Sequence, residues 1–367
     1  MKLGFFMMPV HPVGRNYTET LMEDREAIIL CDRLGFTEAF CGEHLTDRIE
    51  NIPNSMMFLA SFVDATKTIK LGTAVINLPY FHPLIVASNA AMLDNLLKGR
   101  FLFGVGAGIL RSDSEAIELP ESDRQAKFAE SIEHIIALWT GSAPYNIKGK
   151  FWNISTEKNL APQYGLGNIV PTYQKPHPPV VGAIGSPESK SVAAMGRRGW
   201  LPVSSNLVHA RFLKGHWEGY VRGATEAGRT TDISEWRVGR SVFVNEDDKV
   251  ARAYGKTDPN SPYRQYFSHL GGKVLGHGGH RGFKADDSVP NEKVDLDYMV
   301  ENLVIAGSVN SVVDQILALR EQAGEFGTLN LANPNWTDKA LARHSLELMA
   351  EKVLPAVNAA SLRAAAE

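Results

Sequence analysis

A glutamate followed directly by a histidine, Glu43-His44, is the pair in this 367-residue chain best suited to moving a proton. Imidazole titrates near neutral pH, and it can act as a general acid or base. Capping of a neighbouring helix would suit the same position. Gly185-Ser186-Pro187-Glu188-Ser189 offers a second kind of chemistry. Ser186 suits a helix N-cap, Pro187 a first helical turn, and Ser189 follows three residues on. Free amides and hydroxyls would gather there, where an anion can dock. A well-capped helix without a ligand fits those residues equally well. Arg124 would give such an anion its counter-charge, or else form a surface ion pair. From Lys98 to Gly108 the chain reads KGRFLFGVGAG. It stops a helix at Gly99, runs through an apolar strand, and leaves Gly104, Gly106 and Gly108 at the carboxyl end. Glycines there let a flat ligand or a phosphate approach bare backbone. A dinucleotide fingerprint would need a helix to open at those glycines, and residues 109–114 read as loop. His277-Gly278-Gly279-His280 has no cysteine or carboxylate companion, so no metal site is expected.

The elements that must position these residues alternate strand and helix along the chain. Strands are expected at 3–9, 36–41, 69–76, 101–105, 179–184, 200–204, 236–244 and 327–331. Helices are expected at 18–34, 54–66, 83–97, 121–140, from 186 to about 198, and at 209–228, 311–323 and 339–354. Eight strand-helix units close most economically into a (β/α)8 TIM barrel, and chains of this length do so as one domain. One domain over 1–367 is therefore expected, with an insertion at about 141–176 and a glycine-rich lid at about 254–290. Barrel chemistry sits at the carboxyl ends of the strands. Those ends are mostly neutral and amide-rich, without paired carboxylates, clustered metal ligands or a Ser-His-Asp set.

Composition narrows the function classes. Hydrophobic residues make up 44% and charged residues 22%, ordinary for a globular protein, and the net charge is -3. Neither a basic stripe for nucleic acid nor a polybasic tail for a membrane surface is present, and no apolar run is long enough to span a bilayer. Two cysteines, Cys31 and Cys41, argue against a disulfide framework, and the cytoplasm is the expected compartment.

Several stretches together resemble a known family. They are Gly42-Glu43-His44, Gly72-Thr73-Ala74-Val75 with Leu78-Pro79 and His82-Pro83, Lys98 to Gly108, Ser186-Pro187-Glu188-Ser189, and Ser345 to Val353. In this order they resemble the bacterial-luciferase-like flavin-dependent monooxygenases, most nearly the limonene-monooxygenase type. The resemblance implies a luciferase-like barrel binding FMN, in the reduced form delivered by a separate NAD(P)H-dependent flavin reductase. With O2 as co-substrate, a flavin C4a-hydroperoxide would oxygenate a small, mostly apolar substrate. His44 falls on the catalytic histidine, beside Glu43. Thr73 and Ala74 fall on the pair forming a non-prolyl cis peptide under the flavin ring, with Gly106 and Ala107 beside the ring. In bacterial luciferase those last two positions hold a cysteine and a phosphate-binding arginine, so one phosphate contact here must come from elsewhere. Arg124 falls on the second phosphate arginine, and Ser186 and Ser189 on the phosphate loop. Phe6, Met8, Phe81 and the aromatics of 263–267 are candidate pocket walls. Relatives are commonly dimers or tetramers. A deazaflavin-dependent oxidoreductase of the same fold, or a flavin-binding protein without catalysis, would share much of this pattern.

Overall fold

The computed structural model describes residues 1–8 and 10–364. Its strands are β1 (Lys2–Met7), β2 (Glu38–Cys41), β3 (Lys70–Thr73), β4 (Ile76–Asn77), β5 (Phe101–Gly106), β6 (Asn146–Lys148), β7 (Asn153–Ser155), β8 (Val180–Ile184), β9 (Leu201–Ser204), β10 (Arg237–Val244), β11 (Val304–Gly307) and β12 (Thr328–Asn333). They pair in the order β11-β10-β12-β1-β2-β3-β5-β8-β9, with β4 on β5 and a further β10–β9 pairing. That last pairing closes the sheet into an eight-stranded parallel barrel with helices, as the alternation of elements predicts. All eight expected strands are present. Pro9, placed at the end of the first, lies outside the described residues.

The chain forms two compact units, Met1–Ala39 with Arg48–Asn51 and Gly182–Glu367, and Phe40–Asp47 with Ile52–Val181. In the first, β1 pairs with β12 in register from Lys2↔Thr328, and β10 pairs with β12 from Arg237↔Thr328. A buried ion pair sits at the base of β10, where Arg237 donates from Nε to Glu38 Oε1 (2.9 Å) and from a terminal nitrogen to Glu38 Oε2 (3.0 Å). In the second, β3 and β4 run parallel to β5, with Leu71↔Phe101 and Ile76↔Val105 in register. The helix Glu121–Thr140 buries Ile132, Ile135 and Leu138, spaced three residues apart as one face of a helix requires.

One local expectation gains detail and two are corrected. The 141–176 insertion carries the antiparallel hairpin β6–β7, whose turn is gathered by Glu130 accepting from the Lys150, Phe151 and Trp152 amides. The 254–290 stretch is mostly helical rather than a glycine loop. Ser261 caps the helix Pro262–Tyr266, and Tyr263, Tyr266, Phe267 and Phe283 are buried in the core. There glycines serve packing, since a Cβ at Gly271 would lie 2.8 Å from Met299 Sδ. Thirdly, the helix expected from Ser186 starts at Ser191 and runs to Arg198. Between Ser186 and Lys190 the chain makes a bend and a turn first.

Candidate active site

The carboxyl ends of β2, β3, β4 and β5 hold most of the candidate residues, all within one unit. His44 is buried just past β2, its backbone amide bonded to the Ile52 carbonyl (2.9 Å). Its ring Nδ1 lies 3.1 Å from Asp113 Oδ2. The other carboxylate oxygen, Oδ1, accepts from the Thr46 amide (2.8 Å) and hydroxyl (2.6 Å). Burial acts to raise the Asp113 carboxyl, but the hydrogen bonds from His44 and Thr46 outweigh it and hold the group below its ordinary value. Ionised Asp113 only accepts, so His44 carries its proton on Nδ1 and its basic lone pair on Nε2.

Glu43 has a different part. Its Oε2 accepts from the Ser55 amide (2.9 Å) and hydroxyl (2.7 Å), and its Oε1 from the Asn77 amide (3.1 Å). Burial raises this carboxyl above its ordinary value, while the Ser55 and Asn77 bonds pull the other way. Glu43 thus ties the start of the helix Ser55–Ala60 to β4, beside His44.

Between β3 and β4 the non-prolyl cis peptide joins Ala74 to Val75, not Thr73 to Ala74 as the resemblance implied. Thr73 is still in β3, where its hydroxyl donates to the Gly104 carbonyl (2.6 Å), and the Ala74 amide donates to the Cys41 carbonyl (2.7 Å). Both ends of the Thr73–Ala74 unit are therefore committed to neighbouring strands. The glycines of β5 also have a packing role. A Cβ on Gly104 would lie 1.8 Å from the Thr73 carbonyl oxygen, and one on Gly106 2.3 Å from Val75 Cγ2. Their missing side chains make room for the 73–75 segment itself. Ala74, Val75, Gly106 and Ala107 remain half-buried at the surface of this rim.

Arg124, on the first turns of its helix, donates to the Gly108 carbonyl and pairs with Glu121 (2.6 Å). Ser186 and Ser189 belong to the other unit. There Ser186 is exposed, its carbonyl lies 3.0 Å from His216 Nε2, and Ser189 Oγ lies 2.7 Å from Ser191 Oγ. Of the pocket-wall candidates, Tyr263, Tyr266 and Phe267 lie in the core cluster, with Phe6 packed against it. His277 Nδ1 is bonded to the Lys273 carbonyl (2.7 Å).

Asp113 was missed by sequence reasoning. It lies in the short helix Arg111–Ala116, within a stretch that reads as loop, and meets His44 across 69 positions. An acidic residue in a first helical turn was the one available signal.

A parallel barrel that gathers a buried histidine–aspartate pair and a small, uncharged rim at its strand ends has the make-up of a barrel enzyme. Comparison with known proteins makes the class specific. The luciferase-like monooxygenase family profile matches residues 1–325, and the chain belongs to that family. It is 31% identical over 365 residues to 4-hydroxyprotoasukamycin monooxygenase of Streptomyces nodosus subsp. asukaensis, covering 98% of this chain and 92% of that one. With limonene 1,2-monooxygenase of Rhodococcus erythropolis it shares 29% identity, covering 97% and 86%. Among solved structures, the oxygenating constituent of 3,6-diketocamphane monooxygenase from Pseudomonas putida, a type II Baeyer-Villiger monooxygenase in complex with FMN, superposes with a TM-score of 0.87. Identity there is 28%, covering 97% of this chain and 98% of that one. The protein is a flavin-dependent oxidoreductase. Its own rim fits a flavin, since Ala74, Val75, Gly106 and Ala107 offer a small, uncharged surface on which a neutral planar ring can lie. Among the described residues no helix is long and apolar enough to cross a membrane.

Proposed function

We propose that this chain is the oxygenase component of a two-component monooxygenase. It would take reduced FMN from a separate NAD(P)H-dependent flavin reductase and use O2 to oxygenate a small, mostly apolar organic molecule. The carrying observation is the His44–Asp113 pair, buried at the strand ends of a chain similar over nearly its whole length to FMN-dependent oxygenases. Reduced FMN, when bound, supplies the electrons that activate dioxygen. The protein's share is to bind, orient and handle protons.

Thr73, Ala74, Gly106 and Ala107 would take the ring, and Ser186, Ser189 and Arg124 the phosphate. Arg124 would then exchange Glu121 for the anion. His44 Nε2 accepts a proton from the substrate or returns one to the reacting oxygen, and Asp113 against Nδ1 offsets the charge gained. Glu43 holds the backbone around His44 and does not itself carry the proton. The relatives' names point to terpenes, cyclic ketones and related lipophilic compounds as the first panel to try.

The test is oxygen uptake and product formation with reduced FMN across that panel, for wild type and His44→Ala. Loss of a positioned acid-base group costs roughly a hundredfold in rate, so at least that decrease is expected. Wild-type turnover by His44→Ala would end the proton-transfer assignment. Turnover with a reduced deazaflavin but not with reduced FMN would end the monooxygenase reading.

A further inference from the structure

A line of buried hydrogen bonds runs from the core to the 186–189 loop. Trp236, at the foot of β10, donates from its indole Nε1 to Ser204 Oγ (3.0 Å) at the end of β9. Ser204 Oγ lies 3.0 Å from His216 Nδ1, on the helix Leu213–Glu226, and His216 Nε2 lies 3.0 Å from the Ser186 carbonyl oxygen. Trp236, Ser204 and His216 are each no more than 1% exposed. The direction of every bond follows from chemistry. A carbonyl can only accept, so His216 Nε2 carries the proton. Burial lowers the basicity of His216, and the facing Arg240 guanidinium lowers it further, so the ring is neutral and Nδ1 accepts. Ser204 therefore donates to Nδ1, while its oxygen accepts from an indole that can do nothing but donate.

We propose that His216 is a positioning residue for the phosphate-binding loop, holding the Ser186 carbonyl inward so that the Ser186 and Ser189 hydroxyls face an incoming phosphate. The inference rests on the assignment of that loop to the flavin phosphate. His216 touches no ligand itself. It fixes the first peptide of the loop, where Pro187 contributes no amide hydrogen to do so. The exposed tie from Arg281 to Glu188 (2.7 Å) steadies the loop from its other side, in water and at little energy.

Riboflavin lacks the phosphate, so paired titrations with FMN and riboflavin isolate the loop. Four proteins are compared by flavin fluorescence: wild type, H216L, H216Q and S186A. One lost buried hydrogen bond corresponds to about a fivefold to tenfold weaker FMN affinity in H216L, with riboflavin affinity unchanged. H216Q, whose amide N–H reaches the Ser186 carbonyl, is expected within about threefold of wild type, since the donor is kept. Amide exchange of residues 185–190 without flavin is expected to quicken in H216L and not in H216Q. Equal weakening of both flavins in H216L, or unaltered loop exchange, would overturn the inference. Should H216L fail to fold, H216M, which also lacks the donor, replaces it, and unchanged FMN selectivity and loop exchange in that variant would overturn the inference equally. Failure of the underlying loop assignment looks different: S186A would then keep the wild-type preference for FMN over riboflavin.

Discussion

Replacing Asp113 by asparagine tests the reasoning about His44 most directly. The asparagine carbonyl can still accept from the Thr46 amide and hydroxyl, which lie 2.8 and 2.6 Å from Asp113 Oδ1. The short helix that carries it is therefore spared. Its other atom changes from an acceptor to an N–H donor facing His44 Nδ1. The imidazole must then turn its lone pair toward residue 113 and carry its proton on Nε2, the tautomer that cannot accept a proton there. A hydrogen bond to a charged partner contributes about 1.5–3 kcal/mol, so the expected loss in turnover is about 10- to 150-fold. Two measurements read it. Stopped-flow oxidation and product formation with reduced FMN give the rate, and 15N shifts of the His44 ring report the tautomer without any substrate. The acid limb of stability should change too. A carboxyl held below its ordinary value stabilises the fold fully above the unfolded value near pH 4, and that stabilisation is lost as pH falls through the lower folded value. In Asp113→Asn this loss disappears. Wild-type turnover together with an Nδ1-protonated His44 in the variant would refute the assignment.

Two further outcomes follow from the packing. His209 is buried beside Arg240 and Arg211, and burial chiefly, then those charges, lowers its pKa to about 4. Its neutral form stabilises the fold fully above the unfolded value near 6.5, and up to about 3 kcal/mol is lost as pH falls from there towards 4. His209→Gln should flatten urea-denaturation midpoints across that window, and an unchanged slope would exclude the residue as their cause. At Gly104 an added methyl would meet a backbone atom, the Thr73 carbonyl oxygen, at 1.8 Å. Gly104→Ala is expected to cost about 3 kcal/mol or more and to weaken FMN binding, since the 73–75 segment must shift. A cost below about 1 kcal/mol with unchanged FMN affinity would mean that segment yields freely.

What the sequence made legible is what local pattern encodes. Apolar runs punctuated by glycine and proline locate all eight barrel strands, because a buried parallel strand must be apolar over its length. Glu43-His44 is legible because its neighbours place it at a strand end. Glycine-rich composition misled once. In 254–290 it suggested an open loop, yet Gly255 and Gly271 are small because Ala306 and Met299 pack against them. In β5 the glycines also admit Thr73 and Val75 of this same chain, a packing role that composition alone does not show. Contacts between distant residues leave no local trace. Nothing about Ser112-Asp113-Ser114 shows that His44 will sit against it, and nothing about Trp236 and Ser204 shows that they end on Ser186.

Two histidines, one in each unit, show how surroundings decide which imidazole can do chemistry. His216 has Nε2 against a carbonyl and Nδ1 against a hydroxyl, with a buried guanidinium facing it. Taking a second proton would cost it a hydrogen bond and add charge beside Arg240, so it remains a fixed donor. His44 has Nδ1 against the carboxylate of Asp113, and a proton arriving at Nε2 creates a cation next to an anion already in place. The same side chain is therefore a strut in one setting and, in the proposed function, a proton carrier in the other. Exchanging the partners should exchange the behaviour. His44 facing an amide at residue 113 becomes as fixed as His216, which is why Asp113→Asn should cost rate and leave the fold intact.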